Sequence, residues 1–399
     1  MNDFESRQVI EALRSGIPSR SVGQYFAQSR PHVLEEISER MEKTAASGRS
    51  GGMVITGKYG EGKTHLLKTA FNMAHEKNMV VSYISLSKET PMDKLPLLYQ
   101  KIVTNTYLPN HIQPGFLQEL EKLTPNSSVG SNLLLYAMKN LQTDKLYYLL
   151  RSYMSTDDPD ERFQMQADLE GDVISNAALR KIYKRLFGET VKFNVNFTKT
   201  KHIWDYYCFM SHLFRELGYD GWVILVDETE LMGRLGKKAR LNGYRNMAEF
   251  LLGKNDLKSV FTMFAMSASY IEDVIEGKHE YANLDEAFPG NTEPMETVLG
   301  MLEDAPQLHP LTQEEICNVF TRVIDFHARA YGWSPNVSVG TLMEAAKNGG
   351  YLLRTKIRYA IEYLDQLYQY GDAGSNQVSE LSAESFEEES VSLDGLEIE

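Results

Sequence analysis

The chain has 399 residues, and 41 Lys and Arg stand against 55 Asp and Glu for a formal charge of −14 at pH 7. Hydrophobic residues at 42% and aromatics at 11% suffice for a packed core, which excludes a disordered chain. Two cysteines, Cys208 and Cys317, are too few for a disulfide framework and point to a reducing, cytoplasmic setting; no apolar run nears the roughly 18–20 residues of a membrane span, and the bulk charge argues at first against a nucleic-acid partner.

In chain order, helical patterns run from Glu5 to Arg14 and from Tyr25 to Glu42, separated by the turn signal Gly16-Ile17-Pro18-Ser19. They make residues 1–50 an N-terminal helical segment. After the linker Ser47–Gly52, Met53-Val54-Ile55-Thr56 reads as a buried strand, His65 to His75 as an amphipathic helix, Val80–Leu86 as a second strand and Asp93 to Tyr107 as a helix. This strand–helix–strand unit requires a parallel sheet, so the fold class is α/β and residues 51–108 form the first half of its core. Helical patterns at Asn132–Leu141, Asp144–Met154 and Ala177–Phe187 mark 109–218 as a mostly helical insertion. The core resumes over 219–310, with strands at Trp222–Val226 and Val260–Met266, a looser stretch, and a short strand at Gln307–His309. Three helices, Thr312–Tyr331, Val339–Lys347 and Leu353–Tyr370, form a lid over 311–370. Residues 371–399 are acidic and poor in large apolar side chains, the composition of a disordered tail.

Gly57-Lys58-Tyr59-Gly60-Glu61-Gly62-Lys63-Thr64 fits G-x-x-x-x-G-K-[ST], the P-loop or Walker A motif. Its glycines let backbone N–H groups face the β- and γ-phosphates, Lys63 supplies a cation, and Thr64 offers a hydroxyl to Mg²⁺. It lies between a strand and a helix, the context such a loop needs, and the site extends to His65. Trp222-Val223-Ile224-Leu225-Val226-Asp227-Glu228 carries the Walker B pattern: Asp227 is expected on the metal and Glu228 to polarise a water for attack on the γ-phosphate, with Glu230 as the alternative base. Ser267, or Ser269, at the end of the fourth strand could orient that water. Arg354 could reach the nucleotide from the start of the last helix, with Lys356 and Arg358 as competitors.

These parts, in this order, resemble an AAA+ ATPase of the initiator and STAND-like branch, in which the segment of Ile17-Pro18 and the following Arg20 or Arg30 corresponds to the lining of the adenine pocket. The run Ile10–Arg20, the loop Gly57–Thr64, and Leu86–Pro91 followed by Lys94–Tyr99 resemble more specifically the bacterial ATP-binding proteins of BREX-type phage-defence loci. The resemblance covers most of residues 5–370. It implies ATP binding and hydrolysis, an AAA-like body, and work beside DNA-processing partners such as a helicase or methyltransferase. Only a polar stretch follows Tyr370, so no winged-helix domain of the initiator type is expected. A nucleotide-gated scaffold with little turnover is the alternative; a kinase, which shares the P-loop, lacks an evident acceptor site here.

Between Arg180 and Lys201 seven basic residues, among them Arg180, Lys181, Lys184 and Arg185, face one acid, with Tyr183, Phe187, Phe193 and Phe197 interleaved. Phosphate neutralisation with aromatic stacking would hold DNA there; a solvated helix face with buried aromatics is the alternative. Arg234, Lys237, Lys238, Arg240 and Arg245 form a second cluster that suits a pore loop or a finger arginine offered in trans, which requires a homo-oligomer. Nine acids and no Lys or Arg fall in 371–399, leaving −5 on the preceding 370 residues, so the bulk sign no longer excludes DNA.

Overall fold

The computed structural model describes residues 3–16, 19–26, 30–253, 257–349 and 352–371. Ile17 and Pro18, expected at the adenine pocket, and all but the first residue of the expected tail lie outside the described residues.

Helix α1 (Asp3–Ser15) has acids in its first turn and Arg14 in its last, as the helix dipole favours. Helix α2 (Arg20–Tyr25) is capped by the Ser19 hydroxyl, which accepts the Val22 N–H. Helix α3 (Pro31–Ser47) begins on a proline, tolerated there because the first helical N–H needs no partner. The single helix expected from Tyr25 to Glu42 is thus a correction: α2 ends at Tyr25, α3 starts at Pro31, and three helices precede β1 (Gly51–Gly57). Helix α4 (Lys63–Glu76), β2 (Met79–Ser85) and α5 (Leu95–Thr104) follow, then β3 (Thr106–Tyr107). That short strand ends what reads in sequence as helix, and it pairs antiparallel with β2.

The insertion holds α6 (Leu117–Leu120), α7 (Ser128–Lys139), α8 (Lys145–Tyr153), α9 (Pro159–Leu169), α10 (Asn176–Phe187) and α11 (Lys199–Glu216). Next come β4 (Gly221–Asp227), a 3₁₀ turn at Thr229–Arg234, α12 (Lys237–Leu251) and β5 (Val260–Ser267). The stretch after β5, expected to be loose, is a π-helical turn at Ile271–Glu276 with α13 (Glu280–Ala287) and α14 (Glu293–Glu303). The chain continues through β6 (Gln307–Leu308), α15 (Gln313–Tyr331), α16 (Val339–Ala345) and α17 (Leu353–Tyr370).

Two compact bodies result: Pro31–Lys58 with Ala70–Leu308, and Met1–Arg30 with Tyr59–Thr69 and His309–Glu399. The first is built on a sheet of order β3-β2-β4-β5-β1-β6, parallel except at β3. Because helices cover parallel strands on both faces, β4 is buried at all seven positions. Trp222 lies in it with no exposed surface, its indole N–H donating to the Ser82 hydroxyl at 2.8 Å. In the insertion, Lys145 and Asp168 form a fully buried ion pair at 3.0 Å.

The second body is helical, with α1 packed on α15 and α17 and a core that includes Val9, Ile10, Phe320 and Ile361. A polar chain runs there through the buried His327: the Trp333 indole N–H donates to His327 Nδ1 at 3.0 Å, and His327 Nε2 meets Asp365 at 3.0 Å. Arg14 completes the chain on Asp365 at 2.9 Å. With Nδ1 accepting, the proton of a neutral His327 sits on Nε2.

Candidate functional site

In the sheet body, four strand ends lie at one edge by register. Gly57 at the end of β1 pairs with Ser267 at the end of β5, and Asp227 at the end of β4 pairs with Ser85 at the end of β2. β5 lies between β1 and β4, so the first residue of the P-loop, the candidate water-orienting serine and the strand-end carboxylate share the C-terminal edge of the sheet. That edge is where open α/β sheets bind ligands.

Asp227 is buried, 3% exposed, and its carboxylate is held on both oxygens. The Tyr83 hydroxyl donates to Oδ2 at 2.8 Å and the Glu228 N–H to Oδ1 at 3.0 Å. Burial and the neighbouring Asp227 charge push the Tyr83 phenol well above its ordinary value. Glu228 is exposed and left-handed, φ 56°, an uncommon conformation for a residue with a Cβ, and it turns the chain out of β4 into the 3₁₀ turn. Glu230, the alternative base, is otherwise engaged: its Oε2 accepts the Ser267 N–H at 3.1 Å. The Ser267 and Ser269 hydroxyls lie 3.2 Å apart, and the Ala268 N–H donates to the Gly57 carbonyl at 3.2 Å. Lys58 is exposed.

The helical body carries the rest of the loop. Gly60 and Gly62 have φ of 81° and 90°, values open to glycine at low cost, and a Cβ on Gly60 would meet Leu352 Cδ2 at 2.5 Å. Tyr59 is half exposed, while Glu61, Lys63 and Thr64 are intermediate; Lys63 and Thr64 open α4, whose first-turn N–H groups form an anion-binding end. His65 Nε2 contacts the Phe26 carbonyl at 3.2 Å; burial chiefly, and Arg30 in addition, lower its pKa. Arg30, left-handed at φ 73°, donates to the His309 carbonyl at 2.6 Å. Its Nη1 lies 3.4 Å from where a Gly62 Cβ would stand. Burial lowers the Arg30 pKa, opposed by Glu315 and Glu61. Arg354 opens α17 with its Cδ against Gly16, where a Cβ would come to 2.9 Å, and Arg358 Nε donates to the Arg14 carbonyl at 3.1 Å.

Tyr83 escapes a motif search, since a tyrosine in a strand reads as core. Its signal was the strand period, which sets it on the face of Ser85, the register partner of Asp227.

On α10, Arg180, Lys181, Lys184 and Arg185 are exposed, whereas the aromatics interleaved with them are partly or fully buried. Tyr183 and Phe197 are buried. Arg185 is committed to Glu161, with Nε to Oε1 at 2.8 Å, and Arg180 lies 4.8 Å over the Phe193 ring. In the second cluster Arg240 is 4% exposed and paired with Glu280 at 2.6 Å, which removes it as a finger arginine. Lys237 pairs with Glu286 at 2.6 Å, while Arg234 and Lys238 are exposed.

A family model described as "BREX system ATP-binding protein BrxC/D" matches residues 1–121 and 183–382. The unmatched residues between fall in the helical insertion. The solved structure of a Walker-type ATPase of Pyrococcus abyssi is similar over 86% of this chain and 69% of that one, at 14% identity and a TM-score of 0.37. No curated protein matches the chain. No described helix is long and apolar enough to cross a membrane.

Proposed function

This chain belongs to the family of BREX system ATP-binding proteins BrxC/D, and on that premise we propose that it binds ATP with Mg²⁺ and hydrolyses it to remodel or regulate a DNA-associated complex in phage defence. The observation that carries the reading is the shared sheet edge of Gly57, Ser267 and Asp227, with β5 between the P-loop strand and the acidic strand.

The residues suit a magnesium ion. Asp227 offers a buried carboxylate whose oxygens each keep a lone-pair site beyond the bonds from Tyr83 and Glu228, and Thr64 offers a hydroxyl in the first turn of α4. Mg²⁺ asks for no more protein ligands than these when triphosphate oxygens complete its shell. When bound, the ion would neutralise charge developing on the β- and γ-phosphates. The protein's own part is then divided by chemistry. Backbone N–H groups of residues 57–64 and the Lys63 ammonium hold the phosphates. Glu228 takes a proton from the attacking water as the new P–O bond forms and the bond to ADP breaks. Ser267 orients that water, and Arg354 offsets charge on the transferred phosphoryl group. A homo-oligomer would let an arginine act in trans, and Arg234 and Arg245 are the exposed arginines of that cluster. A helicase or methyltransferase is the kind of partner expected, and Lys181 and Lys184 are the side chains proposed for DNA phosphates.

The test is phosphate release and ATP retention by wild type, Lys63→Ala and Glu228→Gln. The hydrolase reading expects Lys63→Ala to lose ATP, and Glu228→Gln to keep it while turnover falls by a factor on the order of 100. Slow release that Glu228→Gln leaves unchanged would instead establish a nucleotide-gated scaffold.

A further inference from the structure

We infer that Glu230 is a positioning residue: its carboxylate takes the place of a missing strand partner and fixes Ser267 at the sheet edge. This rests on the reading of Ser267 and Glu228 as the hydrolytic pair. The ladder between β4 and β5 ends at Val226 opposite Phe264, whereas the ladder between β1 and β5 runs on to Gly57 opposite Ser267. Beyond Phe264, therefore, β5 continues without β4 beside it. The chain leaves β4 through left-handed Glu228, and the 3₁₀ turn returns Glu230 Oε2 to the Ser267 N–H at 3.1 Å.

A backbone N–H left without an acceptor at a sheet edge is costly, and a carboxylate acceptor makes a charge-assisted bond stronger than the ladder bond it replaces. The next residue is pinned from the other side, because the Ala268 N–H donates to the Gly57 carbonyl at 3.2 Å. Ser267 thus sits between the first P-loop residue and a carboxylate two residues beyond Glu228. Any shift of that turn is passed to the Ser267 hydroxyl. That oxygen of Glu230 is committed to the backbone N–H, and the reading keeps Glu228 as the base.

Glu230→Gln and Glu230→Ala separate positioning from proton transfer, because glutamine retains an acceptor oxygen but is no base. Steady-state kinetics should show Glu230→Ala with kcat lowered about tenfold or more at an ATP KM within about twofold of wild type, and Glu230→Gln within about threefold in kcat. Equal loss in both variants would make Glu230 a base and overturn the inference, as would wild-type turnover in Glu230→Ala. Hydrogen exchange of the peptide covering 260–270 supplies a readout independent of turnover: exchange should quicken in Glu230→Ala and not in Glu230→Gln. Exchange unchanged in Glu230→Ala also overturns the inference. Glu228→Gln is run alongside: if it turns over like wild type the parent reading falls, and the exchange result alone then decides the role of Glu230.

Discussion

The Tyr83 hydroxyl donates a hydrogen bond to Asp227 Oδ2 at 2.8 Å, so the strand-end carboxylate is aimed by a side chain of the neighbouring strand. Partners that orient a metal-binding carboxylate commonly matter to metal affinity nearly as much as the ligand itself.

For Tyr83→Phe, the expected outcome is a rise of about tenfold in the Mg²⁺ concentration that half-saturates turnover, with ATP affinity measured without metal unchanged. The stability cost should be about 1–3 kcal/mol, read by chemical denaturation. The raised Tyr83 pKa sets a pH window. An unfolded tyrosine ionises near 10 while the folded one holds its proton, so the stability is intact below 10 and is lost as pH rises beyond it. A magnesium titration identical to wild type would count against the proposed role of Asp227.

The lowered pKa of His65 makes the opposite pH statement. Its ordinary value is 6.5, and in the fold burial holds the ring neutral with Nε2 on the Phe26 carbonyl. Below 6.5 the unfolded chain binds a proton that the folded chain refuses, so stability should fall as pH drops through and below that value. A His65→Gln variant should show a flatter dependence of Tm between about pH 7 and 5. Parallel curves for the two proteins would remove His65 from the acid limb.

Lys145 and Asp168 test the insertion. Lys145 also donates to the Ile174 carbonyl at 2.6 Å, and Asp168 accepts the Tyr206 hydroxyl at 2.6 Å and the Ile174 N–H at 2.8 Å. Replacing Lys145 by Met leaves a buried carboxylate without its cation and should cost about 3–5 kcal/mol in denaturant unfolding. Adding Asp168→Leu should recover a large part of that loss, since the second change removes the stranded charge.

Charge reversal on α10 tests the DNA proposal. Lys181→Glu with Lys184→Glu should abolish low-salt binding to duplex DNA in fluorescence anisotropy, and single Lys→Ala changes should each lower the salt slope by about one. Arg185 is left intact because it holds Glu161, and changing it would confuse packing with binding. Binding that survives the double reversal would move any DNA contact elsewhere.

Local rules made much of this chain legible. The P-loop depends on glycines and a cation at fixed spacing next to a strand, and Asp227-Glu228 follows an unbroken apolar run, so both stand out in one dimension. Helix α11 did not. Its residues from Ile203 to Phe214 are buried on nearly every side, and a helix enclosed all round shows no period of 3.6. The short β3 was hidden for another reason, since two residues carry no alternation to read.

The sequence by itself determined the α/β class, the phosphate loop, the acidic strand end and the basic character of α10, because each follows from residue type and near-neighbour spacing. Only the tertiary structure decided strand order, which sets β5 between β1 and β4 and so brings Ser267 to the edge shared by Gly57 and Asp227. It likewise decided which charges are committed: Arg240 to Glu280, Arg185 to Glu161, and Glu230 to a backbone N–H thirty-seven residues away. The cause is the same throughout. Each polar or charged group takes the partner that the fold brings near it, under the strongest pressure where it is buried as in Arg240 and Glu280, and that proximity in space is not encoded by sequence spacing.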